Sequence, residues 1–166
     1  QGGRGPRIAA VHLKRFSRPP PAPLRAYAHA VVADGGIWSA GTGPLEASGA
    51  VVGGSDVVAQ AERVHEIIQA LLEKAGAGFE DVVKVTVYLL RIEDRAAVNT
   101  VRRRFFGESR PASTLVEVSA FVVPGAVLEI DVVARQPQRS EANLCDRKPP
   151  KKGAGKQEAS RSDPAF

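Results

Sequence analysis

The stretch DVVKVTVYLL, residues 81–90, constrains the fold more than any other part of the chain. β-Branched and aromatic residues fill it, and they alternate. Val83, Val85, Val87 and Leu89 line one face of the predicted strand, while Val82, Lys84, Thr86, Tyr88 and Leu90 line the other. A strand that is apolar on one face and mixed on the other belongs to a sheet covered on both sides, once by helices and once by something less oily.

The neighbouring segments supply those helices. In AYAHAVVADGGIWSAGT two β-like runs flank Asp34-Gly35-Gly36, a hairpin signal. PLEASGAVVGG follows as a loop, with a short strand expected at Ala50–Val52. Ser55 is the predicted cap of a helix, with Asp56 in its first turn. Val57, Ala61, Val64, Ile68, Leu71 and Ala75 recur at helical spacing, which carries the helix through Lys74 to a stop at Gly76. A second helix runs from a cap at Asp94 to Phe106, with Ala97, Val98, Val101 and Phe105 as its stripe and Gly107 as its end. STLVEVSA and AVLEIDVVAR read as two more strands. The order ββ(β)αβαββ is an α+β pattern. Two helices cover only one face of such a sheet, so the second face is expected to find a partner in an oligomer.

The 166 residues suit one domain. Charge is distributed unevenly. Residues 1–25 carry six basic and no acidic side chains, residues 26–134 nine basic and fourteen acidic, and residues 135–166 eight basic and four acidic. The net charge of +5 thus belongs to the ends, around a mildly acidic body. A specific nucleic-acid partner is not expected of such a body, because phosphate recognition needs a basic folded face. The proline-rich SRPPPAPLR (17–25) marks a boundary. Residues 1–21 are expected to form a flexible basic extension, 22–136 the folded domain, and 137–166 a disordered basic tail. Cys145 is the sole cysteine, so no intramolecular disulfide forms and a reducing, cytoplasmic setting is expected. No apolar run approaches the ~18 residues of a membrane span. Three scattered histidines and one cysteine make no metal site.

Five segments, in order, resemble the reactive intermediate deaminase (Rid, YjgF-like) family. AYAHAVV resembles its opening P-Y-S-Q-A-[VI], and IWSAGTGPLEASGAVVGG its S-G-Q-[IL]-P-L-D segment. AGAGFEDVVKVTVYLLRIEDRAAVNTVRRRFF is similar to a segment that ends in N-x-x-Y-x-x-[YF]-F. RPASTLVEV resembles P-A-R-S-x-V-E-V, and AVLEIDVVA the closing strand. The resemblance implies a chorismate-mutase-like fold, one mixed sheet with two helices on one face, and a homotrimer with clefts between subunits. It also implies hydrolysis of small enamines and imines to a keto acid and ammonia, with no metal or organic cofactor.

Residue by residue, the resemblance assigns Tyr27 to the pocket tyrosine, Glu129 to the glutamate that holds or activates water, Gly41 to the glycine of S-G-Q, and Asn99 to the asparagine of the second helix. His29 stands where the family has glutamine and is a candidate acid or base beside Tyr27. Ser113 occupies the position of the arginine that pairs with a substrate carboxylate. Ser113 and Thr114 can hydrogen-bond a substrate, and Leu115 stands where a small or cysteine residue is common. Arg110, three residues before Ser113, falls on the opposite strand face, and no other Arg or Lys lies on strands 112–120 or 126–134. Residue 113 is expected to face the cleft beside Tyr27 and Glu129. The reading is a Rid-like enzyme acting on a small imine, enamine or related reactive intermediate that need not carry a carboxylate. The alternative is a non-catalytic trimeric binding protein of the same fold.

Overall fold

The structure, a computed structural model, describes residues 28–137. Tyr27, Cys145, the extension 1–21 and the tail from 138 onward lie outside the described residues. Strands β1 (Ala30–Ala33) and β2 (Gly36–Ser39) form a hairpin. Its corner is Asp34-Gly35, with φ of 46° and 75°, the two left-handed residues a tight primed turn requires. Helix α1 (Val57–Lys74), strand β3 (Val82–Leu89), helix α2 (Arg95–Phe106), β4 (Ala112–Glu117) and β5 (Leu128–Arg135) follow. The strand order is β1-β2-β5-β3-β4. β3 and β4 are parallel and joined through α2; the other pairings are antiparallel. The expected α+β class and the mixed sheet with two helices are what the chain forms. The short strand expected at Ala50–Val52 is a single bridge, Leu45 to Val51.

The cap of α1 is Asp56, one residue after the expected Ser55. Its carboxylate accepts from the backbone N–H of Val58 (2.9 Å) and Ala59 (3.3 Å). A carboxylate has two acceptor oxygens and a charge that suits the helix N-terminus, so it displaces the neighbouring hydroxyl from this role. The helix ends in a Schellman turn: Gly76 takes φ of 79°, its N–H reaches Glu73, and the N–H of Ala77 reaches Leu72.

Ala61, Val64, Ile68, Leu71 and Leu72 of α1, with Val98, Val101 and Phe106 of α2, pack on Val85, Val87, Leu89, Leu128, Ile130, Val132 and Ile37. Each of these side chains larger than alanine contributes about 1.5–3 kcal/mol when fully buried. The phase of β3 differs from the expected one at its start. Val82 joins the core while Val83 is 53% exposed. The register against β5 shifts between Val82 and Lys84, so Val83 is the extra residue of a bulge, and alternation resumes correctly at Val85.

One buried polar residue organises the loops. Gln60, on the core side of α1, donates to the carbonyls of Gly54 and Gly125 (2.8 Å for the second) and accepts from the N–H of Val127 (2.8 Å). The loop before α1 is thereby tied to the start of β5. Gln60→Leu fits the volume but removes three part-buried bonds to the backbone, each worth about 0.5–1.5 kcal/mol net because Gly54 and Gly125 remain open to water. A loss of about 3 kcal/mol in urea-unfolding stability is the expected result.

Candidate functional site

Both faces of the sheet carry candidate residues, and the pairing registers say which residue faces where. Val85, Val87 and Leu89 point to the helices, so their neighbours on β4, Ser113, Leu115 and Glu117, point the same way. Contacts agree. Leu115 packs against the core, Ser113 Oγ accepts from Arg102 of α2 (2.8 Å), and Glu117 accepts from the N–H of Ile92 (2.8 Å). The opposite, open face presents Lys84, Thr86 and Tyr88 of β3, Thr114 and Val116 of β4, Glu129, Asp131 and Val133 of β5, and Trp38 and Val31 of the hairpin.

Glu129 sits at the centre of the polar part of that face, opposite Tyr88. Behind it, Thr42 pairs with Ile130 through two backbone bonds of 2.8 and 3.1 Å, which presses the segment 40–42 against β5. Gly41 is then so close that a Cβ there would overlap the Glu129 carboxyl. Burial first, and the adjacent Asp131 charge second, hold Glu129 above the ordinary carboxylate value of 4.5. Hydrogen bonding with Asp131, followed by burial, raises the Tyr88 hydroxyl as well. Lys84 Nζ donates to Thr114 Oγ1, which ties β3 to β4 across the face. A half-buried carboxyl with a raised pKa, beside a phenol and a second acid, suits proton transfer.

His29 precedes β1 and is half-buried; its carbonyl accepts from the N–H of Ala40 (2.8 Å). Alternation from the buried Ala30 puts His29 on the Glu129 side of the sheet. The face thus brings together Glu129, Gly41 and Thr114, with His29 near its edge. It does not bring Ser113 to Glu129 within one chain: Ser113 and Leu115 lie on the helix side, where Asn99, half-buried, sits one turn before Arg102. The expected grouping of residue 113 with Glu129 therefore needs a second chain. Arg110 does not stand in for the missing strand arginine; it caps the carbonyls of Gly107 and Ser109 and pairs with Glu108.

Sequence reading missed Lys84, Thr86 and Tyr88 as companions of Glu129, and it missed Arg102. The spacing of Asn99, Arg102 and Phe106, which shares one helix face, was the available signal for Arg102. Among the described residues no group of three His, Cys, Asp or Glu side chains is placed to hold a metal ion. None of the described helices is long and apolar enough to cross a membrane.

Comparison with known proteins gives a consistent answer. The family model described as Endoribonuclease L-PSP matches residues 17–136. A RutC family protein of Pyrococcus abyssi is 39% identical over 119 residues, 72% of this chain and 93% of that protein. The 2-iminobutanoate/2-iminopropanoate deaminase of Capra hircus is 38% identical over 125 residues, 75% of this chain and 90% of that one. The crystal structure of the YjgF gene product of E. coli superimposes with a TM-score of 0.65 at 31% identity, covering 70% of this chain and 93% of that one.

Proposed function

Because the chain belongs to the reactive intermediate deaminase (Rid, YjgF-like) family, we propose that it hydrolyses a small enamine or imine and releases ammonia, without the strand arginine of the family pattern. The observation that carries this reading is Glu129: half-buried, pressed against Gly41, and held at a raised pKa on the open face.

The chemistry asks little of the protein. An enamine takes a proton on carbon from solvent and becomes the protonated imine, the form in which an imine substrate also reacts. Water adds to the imine carbon while the Glu129 carboxylate takes one of its protons. The carbinolamine then breaks its C–N bond as Glu129 returns the proton to nitrogen, which leaves as ammonia, while the hydroxyl loses its own proton to solvent and becomes the carbonyl. Oxidation states do not change, so no redox cofactor is required. Tyr27 and His29 are the groups we assign to orient the substrate, and Thr114 is a further hydrogen-bonding candidate at the same face. Ammonia release from imines formed in situ by an amino-acid oxidase tests the reading.

The second reading, a binding protein that keeps the cleft without the chemistry, is favoured by Ser113 in place of arginine; it requires ligand binding with no turnover. A ribonuclease role, which the family model's description names, is disfavoured by the excess of acidic over basic residues in 26–134 and by Glu129 and Asp131 on the open face. We further propose that the working form is a cytoplasmic homotrimer. Val31 and Trp38, each 43% exposed, and Val116 on the open face are the kind of apolar surface that a second copy covers. Light scattering at micromolar concentration is expected to return three times the 17.6 kDa chain mass, and a monomer mass would refute it.

A further inference from the structure

Arg102 is a half-buried guanidinium with no acid partner among the described residues, whereas Arg95, Arg103 and Arg135, which also lack one, are exposed. Arg63, Arg91, Arg104 and Arg110 each pair with a carboxylate, Glu66, Asp94, Glu62 and Glu108 respectively. Arg102 is half-buried instead, and among the described residues its contacts are the Ser113 hydroxyl at 2.8 Å and the Phe106 ring, whose centroid lies 5.3 Å away. Burial lowers its pKa, and among the described residues no carboxylate opposes that. Holding a cation partly out of water without a counter-ion is unfavourable, and a bound anion offsets it. The side chain is also preorganised. Phe106 supports its plane from one turn away and Ser113 fixes one nitrogen, while a guanidinium has five N–H donors, enough to leave a bidentate edge for a ligand.

The position adds a second, independent argument. Ser113 is exposed on β4, the edge strand of the sheet, so the guanidinium lies where another chain or a small ligand arrives. In the motif quoted for the second helix, position 102 is tyrosine, and in that of the following strand position 113 is arginine. Here the two positions have changed roles: the helix supplies the arginine, and the strand supplies a small hydroxyl that receives it.

We propose that Arg102, oriented by Ser113, is a carboxylate-binding residue that takes over, from the second helix, the role left vacant by the serine on the strand. The inference rests on and deepens the deaminase reading. It also fixes which chains make a site. Arg102 with Ser113 and Glu129 lie on opposite faces of one sheet, so a small substrate that touches both bridges two subunits.

The test measures binding separately from turnover. Pyruvate, a small keto acid of the product class, is titrated by calorimetry into the full-length wild type, Arg102→Gln, which keeps the stem over Phe106, and Arg102→Lys. A loss of about ten- to a hundredfold in affinity for Arg102→Gln, with Arg102→Lys in between, is expected for a charge-assisted pair. Equal affinity in wild type and Arg102→Gln, or no binding to wild type, overturns the inference. Ammonia assays keep the two claims apart. Arg102-dependent binding without ammonia release supports the anion seat and sinks the deaminase reading. Ammonia release with no Arg102 dependence of the preference for carboxylated over neutral imines sinks the seat alone. Mixing Arg102→Gln with Glu129→Gln chains and allowing subunit exchange is expected to regain activity, since a mixed assembly holds clefts with both residues intact. Failure of exchanged mixtures to regain activity, with both homogeneous variants impaired, overturns the two-chain placement.

Discussion

Glu129→Gln is expected to slow ammonia release by about a hundred- to ten-thousandfold, the range for removing a positioned general base. The amide keeps the size of the side chain and its fit over Gly41, so folding and subunit mass should be retained. Turnover rather than substrate affinity should fall, because water activation belongs to the transition state. Burial and Asp131 raise the carboxyl, so the acid limb of the wild-type rate profile should lie above the ordinary value of 4.5. Stopped-assay kinetics against pH, with imine generated in situ, check both points. A variant as fast as wild type would remove Glu129 from the chemistry.

The second large effect concerns His65 and stability. Its ring is fully buried among Phe79, Phe105 and Phe106, with the Phe105 centroid 5.0 Å away in a stacked arrangement. Nδ1 lies 2.7 Å from the Ala61 carbonyl, so it carries the proton in the neutral ring, while Nε2 is buried with no partner among the described residues. Burial, aided by Arg102 and Arg104 and opposed by the Ala61 bond, lowers the pKa from 6.5 to about 4. The unfolded chain therefore binds the proton more tightly than the folded one. Stability is complete above pH 6.5 and falls as the pH drops toward 4, by about 3 kcal/mol. Carboxylates add their own acid dependence, so the comparison with His65→Leu isolates the histidine. Urea unfolding at pH 7.5 and at pH 4 should show the wild type losing about 3 kcal/mol more than His65→Leu. Equal losses would show that His65 is solvated or charged in the folded protein.

Much of this architecture is visible in the sequence because local and tertiary preferences agree. The stripe of α1 and the Asp34-Gly35 turn each have one satisfactory solution. The start of β3 does not: Val82 and Val83 are equally apolar, and only the bulge against β5 decides that Val82 is inside. β4 is similarly ambiguous, since Leu115 and Val116 give it an apolar residue on either face. Parallel pairing of Ser113 with Val85 settles the matter, and that pairing is a property of the sheet rather than of the strand. The same cause hid the anion seat. Ser113 shows in the motif as a missing arginine, whereas Arg102 comes from another element and meets it only after α2 packs across the sheet. Glu129 and Gly41 were legible through family resemblance, and their close approach follows from the Thr42–Ile130 pairing, which no local pattern announces.

The most direct test of the deaminase reading is ammonia release by the wild type from a carboxylated imine. An amino-acid oxidase generates the imine continuously, an excess of semicarbazide traps what remains, and trapped imine is followed with and without the protein. The account predicts that wild type consumes the imine well above the buffer rate, with stoichiometric ammonia and keto acid, and that Glu129→Gln returns the curve to the buffer rate. Wild type indistinguishable from buffer, for carboxylated and neutral imines alike, would contradict it and leave a binding protein in its place.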